Sequence, residues 1–432
     1  MNYYDLTLLV LGLSTLLTLY IFHGRKFSTI HPVNVTILTV LFEFYGKYIW
    51  IAFGEPLTKP GLPYTNALFF LFIFSFFLNI FLTFLPFKLT QLTAAVLPIK
   101  LHISISQAVS MIISAFAINA FFAIIVGGSP LYGLINPIEF RIFMQRGGMF
   151  YIEFFIFFLL ISGLSVVTWH AMSNDSLLRL SFIFPYFLSA YIALNTGLRG
   201  RFVEVLLTPI IIYALKKNRL PIIPLAMLGF LIVPFVSVFG MYRDAVRGNS
   251  LSFNEVLTFV GNAFASSSSD FFPLFMHRFD AFDNFVNVIE SAPKDFFYLQ
   301  SIVDFLSQPI PRSIWPTKAN NFTSEMTLHY RPDLFEDGIA LTYSAFSEAY
   351  MNFGFVLGPI ALALYIYALI STLQMLASNV NRGEIYLISF CLLYQLPFIA
   401  LSAGFINDVA SVLIILTLGC VWVLSFIKRL VI

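Results

Sequence analysis

Long apolar runs recur along the whole sequence, and they restrict the fold more than any other feature. The 432 residues are 59% hydrophobic and 18% aromatic, and only 11% of them are charged. A soluble domain of this size would be less apolar and richer in charge. We therefore expect the chain to lie in a lipid bilayer.

About eleven of the runs approach the length that crosses roughly 30 Å of hydrocarbon. They are Leu6–Phe22, Val33–Phe53, Ala67–Phe87, Ile103–Val126, Met149–Val167, Leu177–Asn195, Phe202–Leu215, Ile222–Phe239, Tyr350–Leu376, Ile385–Phe405 and Val409–Ile427. The predicted fold is all-α, a polytopic integral membrane protein with about eleven transmembrane helices. A long polar insertion, Met241–Glu348, follows the eighth run.

Basic residues in the short loops predict the orientation of these helices, because cytoplasmic loops carry an excess of Lys and Arg. Every second loop is basic, through Arg25 and Lys26, Lys88 and Lys100, Arg179, the cluster Lys216, Lys217 and Arg219, then Arg382, and finally Lys428 and Arg429. The N-terminus and the insertion are therefore expected outside, and the C-terminus in the cytoplasm. The predicted division is a bundle of about eight helices at 1–240, a large extracytoplasmic loop with short amphipathic helices at 241–348, and about three helices at 349–432.

The basic residues that remain on the predicted outer side lie against this bias, and most of them are arginines. They are Arg141, Arg146, Arg199, Arg201, Arg243, Arg247, Arg278, Arg312 and Arg331, beside Lys59, Lys294 and Lys318. A planar guanidinium suits bidentate binding of phosphate or carboxylate better than an ammonium does. Recognition of an anionic ligand would explain the set, whereas salt bridges with Asp and Glu would explain single members.

Arg199 and Arg201 directly precede the run Phe202–Leu215. This run has about 14 residues, too few to cross a bilayer at about 1.5 Å per residue. The two arginines are therefore expected at the depth of the outer leaflet. Charged groups at that depth normally face a cavity and mark a ligand path, here for an anion. The alternative is that both side chains extend to lipid headgroups.

Within the insertion, Leu274–Glu290 has apolar residues at helical spacing and predicts an amphipathic helix on the membrane or against the bundle. Arg278 lies at the rim of the apolar face, from which its guanidinium can reach a phosphate. His277 and Asp280 are three residues apart, which suits a proton acceptor and its orienting partner. A surface histidine beside an acidic residue is also common without any catalytic role.

The segment Pro309–Lys318 contains three prolines, which break any helix there. It places Arg312, Trp315 and Lys318 in one loop, and such a combination of charge and aromatic surface is typical of a binding site. Metal and cofactor sites are not expected, because the sequence has neither a glycine-rich phosphate loop nor an Asp-x-Asp pair.

The second predicted helix carries Glu43 and Lys47, which are four residues apart and predict a buried ion pair. A structural role and a functional role fit this pair equally well. The two cysteines, Cys391 and Cys420, lie in apolar runs and predict neither a disulfide nor a metal site.

Four short motifs together resemble the Wzy-type polymerases, the family that joins oligosaccharide repeat units into O-antigen and capsular polysaccharide. The motifs are Thr196-Gly-Leu-Arg199-Gly, His277-Arg278-Phe-Asp280, Pro309-x-Pro-Arg-Ser-Ile-Trp-Pro-x-Lys318 and Ser344-x-x-x-Glu348-Ala-Tyr-Met-Asn352-Phe-Gly354. Their order and the position of the large outer loop are similar to those of the family. Two departures are Ala349, where a leucine often stands, and the odd number of predicted helices.

The resemblance implies a glycosyltransferase that uses sugar chains carried on undecaprenyl pyrophosphate, at the outer face of the bacterial cytoplasmic membrane. Its expected partners are these lipid-linked oligosaccharides and membrane lipids, with a chain-length regulator and a flippase as candidate protein partners and no nucleic acid. Arginines would stabilise the diphosphate leaving group without a metal or another cofactor. The residues expected to bind diphosphate or sugar are Arg199, Arg201, Arg278, Arg312, Lys318 and Trp315.

The same resemblance calls for a base that accepts the proton of the attacking sugar hydroxyl. The candidates are Glu348, Asp280 and His277, in that order, because Glu348 begins the helix after the large loop and a rigid helix end would fix its position. Glu348 could equally cap that helix or pair with an arginine. Tyr330 and Tyr343 could stack on sugar rings beside Trp315, or pack within the loop.

Three other classes of protein fit parts of the pattern. An O-antigen ligase-like transferase needs a similar site. A transporter or flippase of lipid-linked oligosaccharide would share the bundle and the arginines, although transporters commonly show two related halves and no internal repeat occurs here. A non-catalytic scaffold of an export complex would not need so many outer arginines.

Overall fold

The structure is a computed structural model. It describes residues 3–24, 31–53, 64–85, 103–136, 139–140, 143–144, 149–172, 176–195, 199–217, 255, 258, 261–262, 280–291, 300–301, 314–315, 322–336, 341, 343–380, 383–394 and 401. All the regular secondary structure among these residues is helical.

Five helices in this part of the chain are long and apolar enough to cross a membrane, namely Tyr3–Gly24, Pro32–Ala52, Thr65–Phe84, Ile105–Gly127 and Ala345–Ser378. Each coincides with one of the predicted spans to within a few residues. A helix satisfies its backbone hydrogen bonds internally, as lipid requires. The chain is therefore an all-α membrane protein, and this part of the prediction is confirmed.

The N-terminal region is not purely α-helical. Helix α1 (Tyr3–Leu19) continues into a π-helical turn (Tyr20–Gly24), and a π-helix (Val40–Gly46) joins α2 (Pro32–Thr39) to α3 (Lys47–Phe53). The other helices are α4 (Thr65–Phe84), α5 (Ile105–Gly127), α6 (Tyr132–Ile135), α7 (Met149–Ala171), α8 (Ser176–Asn195), α9 (Arg199–Lys217), α10 (Asp280–Ser291), α11 (Phe322–Tyr330), α12 (Pro332–Glu336), α13 (Ala345–Ser378) and α14 (Glu384–Leu393).

Three further predicted spans coincide with α7, α8 and α9, of which α7 and α8 contain the shorter apolar stretches Phe155–Ala171 and Phe182–Asn195. The predicted spans Ile222–Phe239 and Val409–Ile427 lie outside the described residues, and α14 covers the first part of Ile385–Phe405. The count of about eleven therefore stays a prediction.

The chain forms two compact units. The first comprises Met1–Leu92, Phe279–Met375 and Leu393–Ile432, and the second comprises Thr93–Arg278 and Leu376–Leu392. The predicted division at residues 240 and 348 follows the sides of the membrane, which this grouping by contacts does not test.

In the second unit, α5 and α7 pack closely along each other. Ser104 caps α5 because its side chain accepts a hydrogen bond from the amide of Gln107, whose own side chain accepts from the Ser104 amide. Gly163 permits the close approach of α7, since a β-carbon there would lie 2.6 Å from the carbonyl oxygen of Ala108. Small residues commonly allow such contacts between helices in membranes.

The core of the first unit is aromatic. Phe346 at the start of α13 lies against Phe44, Phe74 and Phe285, with ring centroids 4.5, 5.0 and 5.6 Å apart. All four rings are fully buried. Pairs of this kind contribute about 0.5–1.5 kcal/mol each beyond the area that they bury. The cluster joins the first turn of α13 to the π-helix, to α4 and to α10.

Candidate functional site

Helix α13 is bent at Gly354, whose backbone angles are φ 74° and ψ −171°. Glycine enters this region readily, whereas residues with a β-carbon do not. The bend separates a short arm, residues 345–353, from a long arm, residues 355–378. In a straight helix, residues 349 and 358 would be about 13.5 Å apart. Here a β-carbon on Gly358 would lie 2.8 Å from the carbonyl oxygen of Ala349, so the arms fold back on each other.

Glu348 lies in the first turn of the short arm, and only 1% of its surface is exposed. Ser344 precedes the arm, and its carbonyl oxygen accepts a hydrogen bond from the Glu348 amide at 3.1 Å. The Ser344 hydroxyl faces the Ser347 amide at 3.4 Å, so the cap of this helix comes from serine. The long arm alone would extend about 36 Å, enough to cross a bilayer. Glu348 therefore precedes the part of α13 that is long enough to span.

Ser301 holds the Glu348 side chain, and Asn352 holds Ser301 and the Glu348 backbone. The Ser301 hydroxyl donates a hydrogen bond to Glu348 Oε1 at 2.7 Å. Asn352 Nδ2 donates to Ser301 Oγ at 2.7 Å and to the Glu348 carbonyl oxygen at 2.9 Å. Ser301 and Asn352 are each 6% exposed, so the three residues form a buried polar cluster. Such a cluster is rigid when its hydrogen bonds are made.

The sequence did not indicate Ser301, and it indicated Asn352 only as part of a motif, without a role. Asn352 had a local signal, because it lies four residues after Glu348 on one face of a helix. Ser301 had none, since 47 residues separate it from Glu348. Only tertiary packing brings Ser301 to the short arm.

The predicted amphipathic helix Leu274–Glu290 is described from Asp280 onward, as α10. Phe282, Phe285 and Val288 have no exposed surface, and even the polar Asn284 is only 9% exposed. The Phe282 ring stacks on Tyr64 at 6.0 Å between centroids. The sequence predicted this helix either on the membrane or against the bundle. Its described part packs against the bundle.

Lys47 pairs with a residue of α10 that the sequence did not indicate. Its Nζ atom lies 3.4 Å from Asp283 Oδ2, and the two side chains are 4% and 27% exposed. The predicted partner, Glu43, is also buried, on the π-helix. Burial, with the nearby charge of Asp283 as the second cause, raises the pKa of Tyr64 to about 12. Charged and polar groups of three segments thus meet inside the first unit.

The other predicted site residues are described in part or not at all. His277, Arg278, Arg312 and Lys318 lie outside the described residues, and of Asp280 the structure describes the backbone, at the start of α10. Trp315 is 45% exposed. An indole with that exposure has a face available for stacking. Whether the arginines of the insertion meet Glu348 stays a prediction.

Arg199 and Arg201 lie in the first turn of α9, which has 19 residues. The helix is therefore longer than the predicted run Phe202–Leu215, because the polar residues at its start are helical as well. At about 1.5 Å per residue it extends about 28 Å, close to the thickness of the hydrocarbon core. The helix is not among the five described helices that are long and apolar enough to cross a membrane, so the expectation that its apolar run is too short to cross stays a prediction.

Two of the residues predicted on the outer side, Arg331 and Tyr343, have ordinary structural roles. Arg331 forms a bidentate pair with Asp333, at 3.0 and 2.8 Å, and both side chains are exposed. A salt bridge with an acidic residue, the alternative to anion binding for single arginines, therefore accounts for Arg331. Tyr343 is 1% exposed and packs with Phe322 and Met326, so its ring faces the protein rather than a ligand.

Among the described residues, no group of three His, Cys, Asp or Glu side chains could hold a metal ion. No protein-family model, curated protein or solved structure matches the chain. The fold and the site together define an all-α membrane protein with a buried, hydrogen-bonded carboxylate at a bent helix.

Proposed function

We propose that the protein is a glycosyltransferase that polymerises undecaprenyl-pyrophosphate-linked repeat units into O-antigen, capsular or exopolysaccharide on the outer face of the cytoplasmic membrane. The observation that carries the proposal is the Glu348 carboxylate, which Ser301 holds at the start of the arm that follows the polar insertion. A carboxylate in a fixed position suits a general base for a sugar hydroxyl. The resemblance of four motifs to the Wzy-type polymerases supplies the substrate class.

The proposal includes the topology expected from the sequence. About eleven helices cross the membrane, the N-terminus and residues 241–348 are extracytoplasmic, and the C-terminus is cytoplasmic. The loop would then carry two of the four substrate-binding arginines, Arg278 and Arg312, to the face where lipid-linked repeat units are joined. A chain-length regulator and a flippase are the proposed protein partners.

In the proposed reaction, a hydroxyl of one lipid-linked repeat unit attacks the anomeric carbon of the growing chain. The bond from that carbon to the diphosphate oxygen breaks, and the hydroxyl proton passes to Glu348, or to Asp280 or His277 as alternatives. Arg199, Arg201, Arg278 and Arg312 stabilise the departing diphosphate, while Trp315 and Lys318 bind substrate. Because Glu348 is 1% exposed, its cover must open when substrate binds.

A transporter or flippase of lipid-linked oligosaccharide is the second candidate. The bend at Gly354 favours it, because binding sites of transporters are often built from interrupted helices. A ligase that transfers finished polymer remains the third candidate and needs the same site chemistry.

Complementation of cells that need this protein tests the proposal. We expect Arg199→Ala, Arg278→Ala, Arg312→Ala and Glu348→Gln each to abolish long-chain polysaccharide while single repeat units still reach the outer face. Arg331→Ala is the matched control, because Arg331 is exposed and already paired with Asp333, and it should leave chain length unchanged.

The fate of the repeat units separates the alternatives. Loss of a flippase should leave them facing the cytoplasm, and loss of a ligase should leave long chains on undecaprenyl. Unchanged long chains in all three arginine variants would refute the polymerase. Purified protein should also extend chains in excess chelator, and a strict need for a divalent metal would exclude the mechanism based on arginines.

A further inference from the structure

The amide oxygen of Asn352 is a buried acceptor that receives no hydrogen bond from the part of the chain that the structure describes. Asn352 is 6% exposed, and its Nδ2 group donates to Ser301 Oγ and to the Glu348 carbonyl oxygen. No described residue donates a hydrogen bond to Asn352 Oδ1. A buried acceptor without a partner costs about 1–3 kcal/mol. A ligand that supplies positive charge would remove this cost.

The orientation of this amide follows from chemistry. A backbone carbonyl can only accept, so the Asn352 atom 2.9 Å from the Glu348 carbonyl oxygen has to be the nitrogen. The flipped amide would place two oxygen atoms against each other. Asn352 Oδ1 is therefore directed away from Glu348 O, and a flip of the amide does not supply the missing donor.

The surroundings of this atom are electron-rich. Glu348 contributes a carboxylate, and Ser301 Oγ keeps a lone pair beyond the one that accepts from Asn352. The short arm also ends two residues after Asn352, at Gly354, and the C-terminal end of a helix carries partial negative charge. A positive species is favoured over a neutral one at such a place.

Size and charge narrow the choice of ligand. Glu348, Ser301 and Asn352 are 1%, 6% and 6% exposed, so the cluster as it stands excludes a ligand as large as a sugar. All three offer hard oxygen ligands, which suit alkali and alkaline-earth cations. A divalent ion usually takes more than one carboxylate, and the cluster has one. Ends of interrupted helices also coordinate Na⁺ in membrane transporters.

We propose that the bend of α13 holds a monovalent metal cation, with Asn352 Oδ1 as a ligand and Glu348 as the countercharge. Glu348 makes further contacts of its own, so the proposal rests on Asn352 and on the end of the short arm. The ion would hold the short arm against Ser301 and thereby keep α13 bent. This site does not depend on the polymerase reaction, and a transporter could use it equally.

The test is the thermal stability of the purified protein in Na⁺, in K⁺ and in N-methyl-D-glucamine at equal ionic strength. We expect a melting temperature that rises and saturates with Na⁺ or K⁺ but not with the organic cation. In Asn352→Ala, the concentration for half of this effect should rise about tenfold or more. Asn66→Ala is the matched control, since Asn66 also donates to a glutamate, Glu290, but is exposed.

If Asn352→Ala does not fold, Asn352→Asp replaces it, because the added charge should lower the half-saturating Na⁺ concentration. Melting temperatures that are equal in all three cations would overturn the proposal. A buried water would then be the hydrogen-bond donor to the amide oxygen. An equal cation effect in wild type and Asn352→Ala would also overturn it. No substrate is present in these measurements, so a failed polymerase assay leaves their outcome unaffected.

Discussion

Replacement of Gly354 by alanine tests the bend of α13 directly. The φ of 74° and ψ of −171° at this position lie in a region that residues with a β-carbon enter at a cost of about 1–3 kcal/mol. A β-carbon here would meet no described atom within 4 Å, so a clash adds nothing. We expect Gly354→Ala to lower the free energy of unfolding by about 1–3 kcal/mol through the backbone alone.

A straight α13 would not relieve this loss. Ala349 and Gly358 would separate to about 13.5 Å, and Phe346 would leave its contacts with Phe44 and Phe74, whose centroids are 4.5 and 5.0 Å away. Each such pair contributes about 0.5–1.5 kcal/mol. Gly354→Ala is therefore expected to be less stable than the wild type whether α13 stays bent or straightens.

The measurement is reversible unfolding of the purified protein in mixed micelles titrated with a denaturing detergent. Gly128 provides the control, because it also has open space and a positive φ of 70°, but with ψ 0°. Asparagine tolerates that left-handed conformation. The free energy of unfolding of Gly128→Asn should therefore stay near the wild-type value, whereas that of Gly354→Asn should fall as much as that of Gly354→Ala. Wild-type stability of Gly354→Ala, or equal losses in the two asparagine variants, would refute the bend.

Three further predictions, two substitutions and one pH dependence, test the packing and electrostatics of each unit. Lys47→Met should cost about 3 kcal/mol, because it removes the cation beside the half-buried Asp283, and Asp283→Asn in the same chain should restore part of it. Burial lowers the pKa of His31 from 6.5 to about 3, so its stabilising contribution is present above pH 6.5 and is lost as the pH falls toward 3, by about 1.4 kcal/mol per unit. Gly163→Ala should cost about 1–3 kcal/mol, because its β-carbon would meet the Ala108 carbonyl. Unfolding free energies in micelles measure all three.

Each of these three predictions has a control. His31→Asn keeps a side chain that can cap α2 and should abolish the acid slope, so an unchanged slope would assign it to another group. Gly261→Ala has open space and should be neutral, in contrast to Gly163→Ala. A double variant at Lys47 and Asp283 that is less stable than Lys47→Met would show that the two side chains do not interact.

The membrane class and the five spans followed from the sequence because hydrophobicity is local. A run such as Thr65–Phe84 must lie in lipid and be helical wherever it packs. Helix ends were less accurate, as α9 shows, because polar residues such as Arg199 can continue a helix past its apolar run. The bend in α13 had a signal in Gly354, but a single glycine does not break every helix.

Contacts between charged side chains of distant segments could not be read from local spacing. Lys47 pairs with Asp283, on a helix more than two hundred residues away in the chain, whereas the pair of Lys47 with Glu43, four residues away, stays a prediction. Ser301 meets Glu348 in the same manner. The free energy of such contacts depends on burial and on short distances between segments, both of which arise only when the helices pack.

The sequence by itself determined that the chain is an all-α membrane protein. The reason is that the free energy of transferring apolar runs into lipid is large and adds up along the chain. It also placed Glu348 next to the polar insertion. Tertiary structure alone decided that Glu348 is buried, that Ser301 donates to its carboxylate, and that α13 folds back at Gly354. These features depend on which helices touch, and many packings are compatible with the same pattern of apolar runs.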